Sequence, residues 1–81
     1  MSHKLTKKET EVLGLMATGL TNAGIAEKLG IQRGSVDTHA TVIYSKLMVD
    51  EDEAIDRRVS AVLRWQEEQI QAEYKRQEEM I

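Results

Sequence analysis

Apolar residues recur at helical spacing in four successive segments of this chain, and most of these segments carry a start or stop signal. The run Leu5-Thr6-Lys7-Lys8-Glu9 reads as a helix entry. Thr6 can cap the first amides and Glu9, three residues on, can reach back to close a capping box. Val12, Leu13 and Met16 then mark one face and Gly19 a stop, which predicts a first helix over about residues 7–18. Thr21 caps a second helix whose buried side is Ile25, Ala26 and Leu29, and Gly30 supplies the left-handed residue that ends it. A third helix is predicted from Arg33 to Lys46, with Val36, Ala40, Ile43 and Leu47 facing inward and Asp37, Thr38, Thr41 and Ser45 outward. The acidic run Asp50-Glu51-Asp52-Glu53 suits a helix N-terminus. From Asp52 to about Glu79 nothing interrupts a fourth helix of some 27 residues, or about 40 Å. Its core side is expected to be Ile55, Val59, Val62 and Leu63.

The fold class that follows is all-α, four helices with a long, extended C-terminal one. Composition agrees, since the chain has no proline or phenylalanine and is rich in good helix formers. At 81 residues it holds one domain at most, small enough that a partner surface would help it bury apolar area. The absence of cysteine excludes a disulfide framework and a thiolate zinc site. No apolar run is long enough to span a bilayer and the N-terminus does not read as a signal peptide, so no membrane role and a cytoplasmic location are expected.

Net charge is -3, but the average hides an asymmetry. Residues 1–47 carry six Lys or Arg against four Asp or Glu, a net of +2, whereas residues 48–81 carry five against ten, a net of -5. The chain therefore divides into a core over 1–55, built on a helix-turn-helix pattern from Gly24 to Leu47, and an acidic helix over 52–81 for dimerisation or partner binding. The outer face of the third helix is short-chained, which lets a DNA groove approach it closely. On the fourth helix Val59, Leu63, Gln66, Ile70 and Tyr74 form the expected partner surface, because Trp65 and Tyr74 would otherwise be exposed aromatics.

The stretches LTKKETEVL at 5–13, Gly19-Leu20-Thr21-Asn22, IAEKLGI at 25–31, Ser35-Val36, His39 and IYSKL with Val49 resemble, in order, the DNA-binding domain of the LuxR/NarL family of bacterial transcription regulators, including small GerE-like members. The resemblance implies a four-helix domain whose third helix enters the major groove and whose fourth supplies a dimer contact. It also implies base reading by Asp37, Thr38 and Thr41 and phosphate contacts near Thr21, Asn22, Gln32, Ser35 and Lys46; Arg33 and Ser45 complete the candidate surface.

Three residues depart from the family pattern. Asp37 stands where lysine is usual, Gly24 where a glutamate or similar residue is usual, and Met48 where glycine is usual. Gly24 reads either as a solvent-facing position or as a place where another backbone, or DNA, comes close. Asp37 puts a negative charge beside the phosphates, although an aspartate can accept from cytosine N4 and Arg33, one turn before it, could screen it.

No catalytic constellation is present. His39 has no second histidine at ligand spacing, so packing or phosphate donation suits it better than metal binding, and Ser35 lacks a base and an orienting acid. No cofactor is implied. The reading is a small stand-alone DNA-binding transcriptional regulator acting on double-stranded DNA as a homodimer through its C-terminal helix. The alternative is a protein-interaction adaptor that keeps the fold, has lost DNA and binds another transcription protein.

Overall fold

The computed structural model describes residues 4–49 and 56–79, with side chains as far as Arg76. Four helices make up the described residues: α1 Lys7–Ala17, α2 Asn22–Leu29, α3 Arg33–Lys46 and α4 Arg57–Glu79. Local signals set most of their ends. Thr6 accepts from the Glu9 amide at 3.1 Å and Glu9 accepts from the Thr6 amide at 2.7 Å, which completes the predicted capping box. Thr21 accepts from the Gly24 amide at 3.2 Å. Gly30 closes α2 with φ 66° while the Ile31 amide reaches back to the Ala26 carbonyl at 3.0 Å.

The end of α3 has the same geometry with the less suitable residue. The Val49 amide bonds the Tyr44 carbonyl at 3.0 Å and the Met48 amide bonds that of Ser45 at 3.1 Å, which places Met48 at φ 55° in the left-handed region. Its side chain is mostly exposed and recovers little of the steric cost of that conformation, about 1–2 kcal/mol. Replacing Met48 with glycine should therefore stabilise the fold by about 1 kcal/mol, part of the relief being offset by glycine's larger unfolded-state entropy. Thermal unfolding should show the melting temperature rising by roughly 4–8 °C.

The core is Val12, Leu13 and Met16 from α1, Ile25 and Ala26 from α2, Val36, Ala40 and Ile43 from α3, and Ala61 from α4. Leu29 and Leu47 pack at its margin, half-buried. Gly24 makes room inside the fold: a Cβ there would come within 3.3 Å of Leu20 Cδ2, so the close neighbour is a leucine side chain.

The fourth helix departs from expectation in extent and in phase. It begins at Arg57, not Asp52, because Asp56 accepts from the amides of Arg58 at 2.9 Å and Val59 at 3.4 Å and so caps it. The acidic run at 50–53 and Ile55 lie outside the described residues. The face turned to the core is Arg58, Ala61, Val62 and Trp65, whereas Val59 and Leu63 are 55% and 58% exposed. Trp65 is accordingly not an unpartnered aromatic: its six-membered ring lies over Gly14 of α1, 3.7–3.8 Å from where a Cβ would stand. Beyond Trp65 every described side chain of α4, from Gln66 to Arg76, is exposed.

Candidate nucleic-acid interface

The buried stripe Val36, Ala40 and Ile43 fixes the rotation of α3 and turns Asp37, Thr38, Thr41 and Ser45 to solvent, as the periodicity predicts. The two threonines bond back to their own helix, Thr38 Oγ1 donating to the Gly34 carbonyl at 3.0 Å and Thr41 Oγ1 to that of Asp37 at 3.1 Å. In that state each hydroxyl has spent its one proton and presents acceptor lone pairs and a methyl group outward.

Asp37 is not screened by Arg33; no ion pair joins them among the described residues. Its Oδ1 accepts instead from Asn22 Nδ2 at 2.8 Å, and Asn22 Oδ1 accepts from Arg58 Nη1 at 2.7 Å. A second nitrogen of the same guanidinium, Nη2, donates to the Leu20 carbonyl. The chain of bonds runs from α4 through the first residue of α2 to the outer face of α3. It places a cation one amide away from the Asp37 carboxylate, so the local charge on this face of α3 is less negative than the residue alone suggests.

The remaining candidate positions surround this face. Thr21, Gln32, Arg33 and Ser35 are exposed. Gln32 precedes α3 without a side-chain capping bond, so no side chain occupies the positive end of that helix dipole, and the Ser35 amide bonds back to the Gln32 carbonyl at 3.0 Å. His39 is half-buried at the helix edge.

Lys46 has work inside the fold: its Nζ donates to Glu9 Oε1 at 2.7 Å and to the Lys4 carbonyl at 3.2 Å, leaving one of its three N–H groups uncommitted by these bonds. Glu9, 5% exposed, is the partner. Burial would raise its pKa, but hydrogen bonds from Lys46 and Thr6 and the Lys46 charge outweigh that and hold it below the ordinary value of 4.5.

Sequence reasoning missed Arg57 and Arg58. The Arg57 guanidinium sits 5.3 Å from the centroid of the Tyr44 ring on α3, a cation–π contact that brings positive charge to the C-terminal half of the candidate helix. The visible signal was an Arg-Arg pair set in an otherwise acidic stretch, which the half-chain charge average concealed.

On α4, Val59, Leu63, Gln66, Ile70 and Tyr74 are all exposed, the four large apolar ones by 55–67%. At 3.6 residues per turn they fall within about 80° of one another, a single stripe roughly 130° round the helix from the face that packs on the core. Among the described residues no group of His, Cys, Asp and Glu could hold a metal ion, and no helix is long and apolar enough to cross a membrane.

Comparison with known proteins agrees with this geometry. The transcriptional regulatory protein LnrK of Bacillus subtilis (strain 168) is 51% identical over 45 residues, 56% of this chain and 20% of LnrK. LiaR of the same organism, also named a transcriptional regulatory protein, is 51% identical over 47 residues, 58% of this chain and 22% of LiaR. The uncharacterized response regulatory protein YgeK of Escherichia coli (strain K12) is 45% identical over 47 residues, 58% of this chain and 32% of YgeK. The chain thus spans a fifth to a third of the length of these relatives. No solved structure matches it significantly. The family model for bacterial regulatory proteins of the luxR family (GerE) matches residues 3–65, and with the four-helix geometry this establishes that the chain belongs to that family of transcription regulators, which is not an enzyme class.

Proposed function

We propose that the chain binds double-stranded DNA sequence-specifically as a homodimer, with α3 of each copy in successive major grooves and α4 of each copy forming the contact between them. The observation that carries the reading is the face of α3. It is exposed along Asp37, Thr38, Thr41 and Ser45, short-chained, and held in fixed rotation by three buried apolar residues behind it. Thr21, Gln32, Arg33 and Ser35, the uncapped positive end of α3, and the remaining proton of Lys46 supply the phosphate contacts that set register. The exposed stripe from Val59 to Tyr74 supports the dimer, since four large apolar side chains in one line lower their free energy by meeting another surface. In this reading the division of labour falls at α4 itself, whose first turns belong to the core and whose remainder belongs to the partner.

The adaptor reading rests on Asp37 as a charge that repels DNA and on the net charge of -5 over residues 48–81. Engagement of Asp37 by Asn22, which a cation supports from behind, weakens the first of these and leaves the second. Titration of the protein against genomic DNA fragments at low salt tests the proposal. Particular fragments should be enriched, and affinity should fall with salt by a slope of about -0.9 per phosphate neutralised. Absence of both enrichment and salt dependence would overturn it in favour of the adaptor.

A further inference from the structure

The bonds around Asp37 suggest more than neutralisation of a charge. The Asp37 carboxylate has one oxygen fixed, Oδ1 on Asn22 Nδ2 at 2.8 Å, while Oδ2 accepts no hydrogen bond among the described residues. Asn22 is itself fixed by Arg58, which the Leu20 carbonyl anchors in turn. A carboxylate on a solvated helix face ordinarily samples several rotamers, and this one is tied across 15 residues of sequence to another helix.

The chemistry around the free oxygen is one-sided. An ionised carboxylate only accepts, and the hydroxyls of Thr38 and Thr41 have donated their protons inward. The centre of the exposed α3 face therefore offers acceptors and methyl groups and no side-chain donor from these three residues. In the major groove guanine shows two acceptors, thymine an acceptor and a methyl, and adenine a donor beside the N7 acceptor; cytosine alone shows a donor with no adjacent acceptor. A fixed carboxylate is repelled by the first two, partly repelled by adenine, and matched by cytosine N4.

Resting on the DNA-binding reading above, we propose that Asp37 is a specificity residue that selects cytosine at one position of each half-site, and that Asn22 and Arg58 are positioning residues that hold its carboxylate in the reading geometry. The lysine usual at this position in the family is a donor and suits guanine, so the exchange changes which base is read while the fold stays the same. Arg58, in the first turn of α4, is linked to Asp37 through Asn22, so the helix proposed to join the two copies is one side chain removed from the residue that reads the base.

Selection from a randomised duplex pool tests the proposal with the whole chain, comparing the wild type with Asp37→Asn, Asp37→Ala and Asn22→Ala. The wild type should enrich cytosine at one position per half-site by about tenfold over each other base. Asp37→Asn, with a donor and an acceptor, should move that preference to adenine, because an amide pairs with adenine N6 and N7. Asp37→Ala should bring the four bases within about twofold at that position and leave the others unchanged. Asn22→Ala should weaken the cytosine preference several-fold. A uniform loss of affinity with the preference intact would instead make Asn22 a phosphate contact only and overturn its positioning role. Because Asp37 is exposed, its variants keep the fold, which circular dichroism verifies. Enrichment of specific sites by the wild type with no change at any position on substituting Asp37 overturns this inference and leaves DNA binding standing. Failure of the wild type to enrich any site overturns both.

Discussion

Replacing Glu9 with alanine should lower the stability of the fold by about 3 kcal/mol at pH 7. Two separate losses add up to that figure. The first is the return half of the capping box, since Glu9 accepts from the Thr6 amide at 2.7 Å; loss of one such hydrogen bond costs about 1 kcal/mol. The second is the link from α1 to the end of α3, where a carboxylate only 5% exposed holds the Lys46 ammonium at 2.7 Å. Removing one partner of a fully buried pair costs about 3–5 kcal/mol, and the Lys46 side chain is 25% exposed, so the share here is nearer 2 kcal/mol. For a domain of this size the melting temperature should fall by roughly 12–24 °C. The penalty should also depend on pH with a definite sign. The Glu9 pKa is lower in the folded state than the ordinary 4.5, so its stabilisation is fully present above that value and is lost as pH falls through the folded-state pKa. Wild type and variant should therefore converge under acid in paired thermal melts, and a gap that stayed constant with pH would mean that the ion pair contributes nothing.

The second large effect concerns assembly. Substituting Leu63 and Ile70 together with glutamate should leave the fold intact, because both side chains are more than half exposed and lie off the face that packs on the core. In the proposed dimer the same two residues lie at the centre of the contact, and two pairs of carboxylates facing each other there would separate the copies. The mass in solution should drop from about twice the chain mass of 9.2 kDa to that mass. Affinity for a two-half-site duplex should fall by at least about a hundredfold, because the second head no longer binds at the effective concentration that linkage provides. Affinity for a single half-site should change little. Light scattering with parallel binding titrations on the two duplexes reads both effects. Equal losses on the two duplexes would show that these residues act on the reading head and not on the pairing of heads.

Much of this architecture was legible because it is encoded locally. Thr6 with Glu9, Thr21 and Gly30 each act within four residues of themselves, and the start of α1 and both ends of α2 fell where those signals put them. The rotation of α3 was legible for the same reason, since four apolar residues at one spacing admit one face. What escaped is long-range. The bonds of Asn22 to Asp37 and Arg58, and of Lys46 to Glu9, join residues 15 to 37 positions apart, and no periodicity reports them. On α4 the pattern itself misled. The helix carries two apolar stripes, and hydrophobicity favours Val59 and Leu63 over Ala61 and the stem of Arg58. The core took the second stripe because the small Ala61 allows close approach and Gly14 receives the Trp65 ring. Of the candidate site, the exposed face was read correctly, while the state of its central charge depended on a helix assigned to another task.

Entry of two copies of α3 into successive major grooves is measured by dimethyl sulfate protection on a fragment enriched by the protein, because the reagent attacks guanine N7 in the major groove. The prediction is two patches of protection on one face of the duplex, their centres about 10 base pairs apart, each lost when Thr38 and Thr41 are replaced by glutamate. Bound DNA whose guanines remain reactive throughout, or a footprint that survives those replacements, would contradict it.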